Sequence, residues 1–229
     1  MICSMKTTFK IDFVDGHVLI NDNGKRILVD TGSPLTVHKE RSFSFLGRDH
    51  SVSVSILGSS VRDLAALTGF EFTTLLGMDI MSQYKVVFDY ENKELTFLTE
   101  EEPDIVGTPY PLINIMGVKA LRMNINGHNL IAAVDTGAPL SYIDKEITSN
   151  VSPVGEKEDF HPTVGRFVTP IYSLETEFAS KRFTVDYGIL PGMMAVRNKV
   201  QGINAVVGYD FLKNFKLMFN FRSGTVIVA

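Results

Sequence analysis

The chain has 229 residues, of which 45% are hydrophobic and 21% are charged, with a net charge of −4. This composition predicts a globular protein with a sizeable core. Its lysines and arginines are scattered, which excludes a basic footprint for nucleic acid or an anionic membrane surface. No apolar run approaches the roughly 20 residues of a membrane span, and the N-terminus has no apolar stretch of signal-peptide length. Cys3 is the single cysteine, so no intrachain disulfide can form, and we expect a cytoplasmic protein.

The first distinctive element is a predicted β-hairpin that leads into an acidic loop. Asn23-Gly24 stands between two apolar runs, which is the strongest short-range hairpin signal. The second run continues into Val29-Asp-Thr-Gly-Ser-Pro-Leu-Thr-Val37. The same order returns later, where Asn126-Gly127 precedes Val134-Asp-Thr-Gly-Ala-Pro-Leu-Ser-Tyr142. One Asp-Thr-Gly triplet alone would indicate a simple turn, but two copies in the same context indicate a repeated unit.

A second block of sequence also occurs twice. Leu75-Leu-Gly-Met-Asp-Ile-Met-Ser-Gln-Tyr-Lys-Val-Val-Phe-Asp-Tyr90 matches Val206-Val-Gly-Tyr-Asp-Phe-Leu-Lys-Asn-Phe-Lys-Leu-Met-Phe-Asn-Phe221. Each copy predicts a buried strand, a turn at the glycine, a short helix from the aspartate and a further strand. We interpret Asp79 and Asp210 as N-terminal caps of these helices.

The order of the two blocks is the same in both halves of the chain. This predicts duplication of a whole lobe of about 100 residues, not a short solenoid repeat. The acidic, proline-containing stretch 99–104 is interpreted as the connector. We therefore expect an N-terminal lobe at 1–102 and a C-terminal lobe at 103–229.

At the two Asp-Thr-Gly loops and the two apolar-apolar-Gly elements, the sequence resembles the aspartic protease superfamily. Its short lobes are more similar to retropepsin-like proteases than to the longer pepsins. The resemblance implies a mainly β, acid-protease fold, with two pseudo-twofold-related lobes around a central cleft and one short helix per lobe. It also implies a catalytic pair, Asp30 and Asp135. The residues implied to support this pair are Thr31, Gly32, Ser33, Thr136, Gly137 and Ala138.

The resemblance further implies an aspartic endopeptidase that acts on a peptide or protein substrate, without a metal or organic cofactor. In this family the hydroxyls equivalent to Thr31 and Thr136 cross-brace the two loops. Retroviral enzymes carry an arginine after the apolar-apolar-Gly element, where it serves the dimer. Here Met78 and Tyr209 occupy those positions, which fits a monomer that carries both halves in one chain.

The chemistry explains why two aspartates are needed. Peptide hydrolysis by this route uses one carboxylate as general base for a water and one carboxylic acid to polarise the carbonyl. Two adjacent carboxyls cannot both ionise easily, so they share a proton. A hydrogen bond from the Ser33 hydroxyl to Asp30 would favour the ionised form, whereas Ala138 offers no such donor to Asp135. The sequence therefore predicts Asp30 as the base and Asp135 as the acid.

The two halves differ in the interval between aspartate and downstream glycine. Asp30 and Gly77 are 47 positions apart, whereas Asp135 and Gly208 are 73 positions apart. A β-hairpin flap occupies this interval in the resembled family, where it closes over substrate. We predict one flap, from the second half, and the alternative is a surface loop insertion. The predicted substrate-binding flap residues are Phe160, His161, Thr163, Val164 and Gly165.

Two alternatives to a self-sufficient protease stay open. One is a non-catalytic peptide-binding or scaffold protein on the same fold, which the short first lobe and the unusual prolines Pro34 and Pro139 would suit. The other is an enzyme that needs self-processing or a partner. The five histidines have no metal-ligand spacing, so we interpret them as isolated packing or surface residues.

Overall fold

The computed structural model describes residues 5–229, except for the side chains of Met193 and Arg197. Cys3 lies outside the described residues. Over residues 5–229 the chain forms twenty-two β-strands, four α-helices and one 3₁₀ helix. The mainly β fold predicted from the sequence is confirmed. Within the same range, no helix has the length and apolar character required to cross a membrane.

The larger sheet contains ten strands of the described chain, drawn from both of its halves. In spatial order these strands are Thr108–Pro111, Thr225–Val228, Lys216–Asn220, Lys85–Asp89, Glu94–Leu98, Lys6–Val14, His17–Asp22, Lys25–Val29, Thr74–Leu76 and Val37–His38. The last four strands of this order belong to the first half alone, and they carry the first Asp-Thr-Gly loop.

The centre of the larger sheet is nearly symmetric. Lys85–Asp89 and Lys216–Asn220 pair antiparallel there, with Val87 opposite Met218. On each side the next strand is the hairpin partner of the central one, and a strand from the start of one half follows it. An approximate twofold axis therefore passes between Val87 and Met218. The two halves meet in a continuous sheet because these central strands are apolar and buried.

The smaller sheet contains eight strands, all from the second half. In spatial order they are Ile113–Ile115, Val118–Ile125, His128–Val134, Ala205–Val207, Ser141–Ile143, Lys181–Ile189, Gly165–Phe178 and Gly155–His161. Two small hairpins of the first half lie outside both sheets. Their strands are Ser42–Phe45 with Arg48–Ser51, and Ser55–Ile56 with Ser59–Ser60.

The same local arrangement positions both Asp-Thr-Gly loops. Lys25–Val29 lies parallel to Thr74–Leu76, and His128–Val134 lies parallel to Ala205–Val207. In both halves a short strand after the loop pairs antiparallel with the same neighbour. The last three residues of the strands that precede the loops are apolar and buried, which is typical of strand segments covered on both faces.

Both predicted Asn-Gly hairpins are present. The φ angles are 51° at Asn23 and 80° at Gly24, and they have the same values at Asn126 and Gly127. A tight turn whose twist matches that of the hairpin strands requires positive φ at both of its central residues. The turns fix the register of the strands that lead to the two loops.

The two predicted short helices are Met78–Met81 and Tyr209–Leu212. Each half contains further helical structure, so the expectation of one short helix per lobe was too low. These additional elements are the helices Val61–Thr68 and Gly192–Val200 and the 3₁₀ helix Lys145–Thr148. In Val61–Thr68, Ser60 and Asp63 form a reciprocal capping box, and Gly69 ends the helix in the left-handed conformation.

Side chains from both halves share one large hydrophobic core. Phe88 and Phe219, at equivalent positions of the central strands, pack edge to face with ring centroids 5.8 Å apart. Nearby, Lys216 of the second half pairs with the buried Asp89 of the first at 2.8 Å. Because the halves share a sheet and a core, the boundary at residue 102 stays a prediction from the sequence.

Candidate active site

The two Asp-Thr-Gly loops are placed by the strands behind them. The N–H of Asp30 donates to the carbonyl of Leu76 at 3.0 Å, and the N–H of Asp135 donates to Val207 at 3.0 Å. Each aspartate is thus held at the end of the strand that precedes it. Because the halves are related by an approximate twofold axis, the two strand ends bring both aspartates to one point between the halves.

A reciprocal set of hydrogen bonds joins the two loops. The hydroxyl of Thr31 accepts from the N–H of Thr136 at 3.0 Å and donates to the carbonyl of Val134 at 2.9 Å. The hydroxyl of Thr136 accepts from the N–H of Thr31 at 3.0 Å and donates to Val29 at 2.9 Å. Both threonines are buried. The cross-brace implied by the family resemblance is therefore present, with equal distances on its two sides.

The carboxyls of Asp30 and Asp135 are hydrogen-bonded to each other. Backbone donors fix the Oδ1 atom of each carboxyl. Asp30 accepts from the N–H groups of Gly32 and Ser33 at 2.8 and 3.0 Å, and Asp135 accepts from Gly137 at 2.9 Å. Both aspartates remain partly exposed, so a substrate group or a water can approach the pair.

Glycine is required where each loop faces the opposite aspartate. A Cβ atom at Gly32 would lie 2.4 Å from Oδ2 of Asp135, and one at Gly137 would lie 2.5 Å from Cγ of Asp30. Real side chains do not approach so closely. Any larger residue at either position would force the two carboxyls apart.

The downstream glycines pack against the backs of the same loops. A Cβ at Gly77 would lie 2.4 Å from the carbonyl of Leu35, and one at Gly208 would lie 2.3 Å from the carbonyl of Ala138. The short helices that follow are anchored there. Their first N–H groups, on Met78 and Tyr209, each donate to a loop carbonyl at 2.9 Å.

The prediction that Asp79 and Asp210 cap the short helices is wrong: the N-cap residues are Gly77 and Gly208, without a side-chain cap hydrogen bond, and the aspartates lie in the first turn. Asp79 accepts from the N–H of Ile80 at 2.9 Å, and also from the N–H and hydroxyl of Thr36 at 2.8 and 2.6 Å. It therefore ties the chain after the first loop to the helix. Asp210 instead pairs with Lys213 at 3.0 Å.

Burial raises the pKa of Asp30 well above the usual aspartate value, and the negative charge of Asp135 raises it further. Burial also raises the pKa of Asp135, but the N–H of Gly137 and the hydrogen bond with Asp30 oppose this rise. The two carboxyls titrate as a pair. They therefore share one proton, so that one carboxyl can be protonated while the other is ionised.

The hydrogen bond on which the sequence-based assignment of base and acid relied is not formed. The Ser33 hydroxyl donates to the carbonyl of Leu35 at 2.8 Å and not to Asp30. Serine side chains readily bond to backbone groups two residues away, and residue type alone does not reveal which acceptor is chosen. The premise that made Asp30 the base is therefore wrong.

The insertion in the second half forms a β-hairpin. Gly155–His161 pairs antiparallel with the start of Gly165–Phe178, with His161 opposite Gly165. The predicted flap residues Phe160, His161, Thr163, Val164 and Gly165 all lie at its closed end. Its counterpart in the first half, Ser42–Phe45 with Arg48–Ser51, is short and buries Phe43 and Phe45 in the core.

The long hairpin reaches from the second half to the first. The ring of Phe160 stacks on that of His17 with centroids 6.5 Å apart, and Arg166 donates to the carbonyl of Leu67 at 3.4 Å. Asp159, also on the hairpin, is close enough to Asp135 for its charge to influence the pKa there. The hairpin thus lies beside the aspartate pair and bridges the two halves.

Sequence reasoning missed three polar residues around the pair. His17 is buried between Phe70 and Phe160, although its spacing from the other histidines suggested an isolated role. The hydroxyl of Tyr142, also buried, donates to Asp159. The position of Tyr142 after the second loop was visible in the repeat, but its partner comes from a distant segment. Within residues 5–229, no group of histidine, cysteine and acidic side chains is arranged to hold a metal ion.

Comparison with known proteins gives little further information. No protein-family model matches the sequence, and no curated protein is significantly similar to it. A retropepsin-like aspartic protease from Rickettsia conorii resembles the structure over 55% of this chain and 96% of its own, with 14% sequence identity and a TM-score of 0.38. Similarity at this level does not establish an activity for this chain.

Proposed function

We propose that this protein is an aspartic endopeptidase, in which Asp30 and Asp135 activate a water for attack on a peptide bond. The observation that carries the proposal is the pair of hydrogen-bonded carboxyls at the junction of the two halves, with a reciprocal threonine brace behind them. The two segments that form this symmetric arrangement are 105 positions apart. A turn at either loop would not need hydrogen bonds to the other loop.

The shared proton gives the two carboxyls complementary roles. The ionised carboxyl of the pair accepts a proton from the water as the water oxygen attacks the carbonyl carbon. The protonated carboxyl of the pair donates its proton to the carbonyl oxygen, so that a neutral tetrahedral intermediate forms. The carbon–nitrogen bond then breaks as the nitrogen takes up the proton that one carboxyl received from the water, and a hydroxyl group of the intermediate returns a proton to the other carboxyl. Water is the only co-reactant, and both carboxyls return to their starting states.

The Gly155–His161 arm and its partner strand supply the proposed flap. An extended substrate between this hairpin and the loops would bind through main-chain hydrogen bonds, with alternate side chains directed into apolar pockets. The hairpin would also exclude bulk water from the aspartate pair, which strengthens the electrostatic interactions of the reaction. The alternative of a plain surface insertion is less consistent with contacts from Phe160 and Arg166 to the other half.

The test is cleavage of a diverse peptide library between pH 3 and 8 by the wild type and by Asp30→Asn and Asp135→Asn. We expect each substitution to lower the rate by about 10²- to 10⁴-fold, since each removes one partner of the acid–base pair. Asp210→Asn is the matched control, because that aspartate occurs in both repeats but pairs with a surface lysine. It should cleave at the wild-type rate.

Two results would refute the proposal. One is a folded wild type that cleaves no peptide at any pH, and the other is an Asp30→Asn or Asp135→Asn variant as active as the wild type. Either result would favour the non-catalytic peptide-binding alternative. Mass spectrometry of the incubated wild type, before and after peptide addition, would identify self-processing as a requirement for activity.

A further inference from the structure

His17 occupies an unusual position at the edge of the proposed active site. It follows the tight turn Asp15-Gly16 and is 3% exposed. The turn lies against the loop of the opposite half, since a Cβ at Gly16 would be 3.2 Å from Pro139. His17 thus belongs to the first half but stands beside the Asp135 loop of the second half.

The imidazole of His17 has one satisfied nitrogen and one that is not. Nδ1 lies 3.2 Å from the carbonyl of Val14, and because a carbonyl only accepts, Nδ1 carries the hydrogen. In the neutral ring Nε2 is therefore the unprotonated nitrogen. Nε2 is buried and has no hydrogen-bond partner among the described residues. Placing a proton and a charge there without an acceptor is costly.

The surroundings of the ring come from three elements. Phe70 of the first half contacts it edge-on with centroids 5.0 Å apart, and Phe160 of the hairpin stacks on it. The charged groups that face it are three carboxylates: Asp159 on the hairpin, Asp135 on the second loop, and Asp15 on its own turn.

The hairpin holds its position through neighbouring residues that contact different halves. Asp159 accepts from the Tyr142 hydroxyl and from the N–H of Phe160, which fixes the hairpin to its own half. Phe160, the next residue, reaches the other half at His17. Lifting the hairpin therefore breaks the stack on His17 and admits water to Nε2.

We propose that His17 is a positioning residue: its ring packs against the hairpin and keeps it over the aspartate pair, and only the neutral form of His17 stabilises this closed arrangement. The inference rests on the proposed protease function, because it gives the hairpin the role of a flap. It goes beyond that function in two ways: His17, from the half that supplies no flap, contacts the flap, and this contact requires a neutral imidazole.

The direction of the pH effect follows from burial. Burial lowers the pKa of His17 below 6.5, and the hydrogen bond to the Val14 carbonyl and the attraction of the three carboxylates offset this only in part. In the open arrangement the ring is hydrated and its pKa returns toward about 6.5. Opening therefore takes up a proton in the window between the lowered pKa and about 6.5. Within that window, each unit of decreasing pH favours the open arrangement by up to about tenfold.

The chain contains no tryptophan, so Phe160→Trp introduces a single fluorescent probe in contact with His17. As the pH falls from 7 to 5, we expect its emission to shift to longer wavelength and to weaken, with a midpoint below 6.5. Adding His17→Gln, which keeps a polar side chain but cannot titrate, should abolish the transition. Adding His128→Gln, the same change at an exposed histidine, should leave it unchanged.

Hydrogen exchange of the unsubstituted protein provides a second measurement that needs no variant. After correction for intrinsic rates, amides of the hairpin at 155–178 should exchange faster at pH 5 than at pH 7, while the central strands Lys85–Asp89 and Lys216–Asn220 do not change. A flat emission profile, a transition that survives His17→Gln, or equal exchange at both pH values would overturn the proposal.

Peptide cleavage separates this inference from the function on which it rests. In the wild type KM should rise as the pH falls from 7 to 5, and in His17→Gln this rise should disappear. If the emission change depends on His17 but the protein cleaves no peptide, the proposed protease function is refuted and the proposed role of His17 is supported. If cleavage requires both aspartates but KM depends equally on pH in the wild type and in His17→Gln, the protease function is supported and the proposed role of His17 is refuted.

Discussion

The threonine brace offers the most direct test of how the two loops are held together. In Thr31→Val the side chain keeps its shape but loses the hydroxyl. The N–H of Thr136 then has no acceptor, and the carbonyl of Val134 loses its donor. Both groups are buried at the junction of the halves, where water cannot easily replace the missing partner.

The expected cost follows from these two unsatisfied groups. A buried polar group without a partner costs about 1–3 kcal/mol, so the substitution should lower the free energy of unfolding by about 2–6 kcal/mol. For a domain of this size each kcal/mol corresponds to roughly 2–4 °C in Tm. We therefore expect Tm to fall by roughly 4–24 °C. Thr136→Val should cost about the same, because the distances are equal on both sides of the brace.

The assay is denaturant and thermal unfolding of Thr31→Val beside Thr31→Ser, followed by peptide cleavage at a temperature where each variant is folded. Serine keeps both hydrogen bonds and loses one methyl group, which costs about 1 kcal/mol. We also expect Thr31→Val to cleave at least about 10²-fold more slowly, since displacements near 1 Å have effects of that size. If valine and serine variants have equal stability and equal activity, the brace does not position the loops.

Three further predictions concern other parts of the structure. Ser33→Ala should leave the pH–rate profile unchanged and cost about 1 kcal/mol in unfolding experiments, whereas a shift of the lower apparent pKa would restore the sequence-based assignment. Gly137→Ala should abolish cleavage while the circular dichroism spectrum is retained, because the new Cβ would lie 2.5 Å from Cγ of Asp30, and an active variant would contradict the geometry. Burial alone would raise the pKa of Asp89, but donors including Lys216 bring it below its usual value. The stability that ionised Asp89 contributes is therefore fully present above about pH 3.8, and it is lost as the pH falls through the lowered pKa. Lys216→Met should cost about 1–2 kcal/mol at pH 7, with the difference from the wild type shrinking toward pH 3, and a constant difference would refute the role of this ion pair.

Much of the backbone arrangement could be predicted from the sequence because local signals were strong and repeated. Asn23-Gly24 and Asn126-Gly127 tolerate positive φ at two successive residues, and a tight hairpin turn is the common structure that requires this. The apolar runs before each Asp-Thr-Gly loop indicated buried strands, and the glycines at 77 and 208 marked turns. These features depend on residues near one another in the chain, so the sequence determines them directly.

The additional helices were missed because their signals are ordinary. Val61–Thr68 has a capping box at Ser60 and Asp63 and a terminal Gly69, all of which could be recognised from the sequence.

The roles of individual side chains at the site depended on contacts that sequence spacing does not encode. The sequence by itself determined which residues form the two loops, that a glycine must follow each Asp-Thr pair, and that the longer insertion belongs to the second half. Only the tertiary structure decided that the Ser33 hydroxyl turns to a backbone carbonyl and that His17 lies under the hairpin beside Asp135. The physical reason is that hydrogen-bond partners and burial are set by which distant segments meet, and the charge on a carboxyl responds to those neighbours more than to its own sequence context.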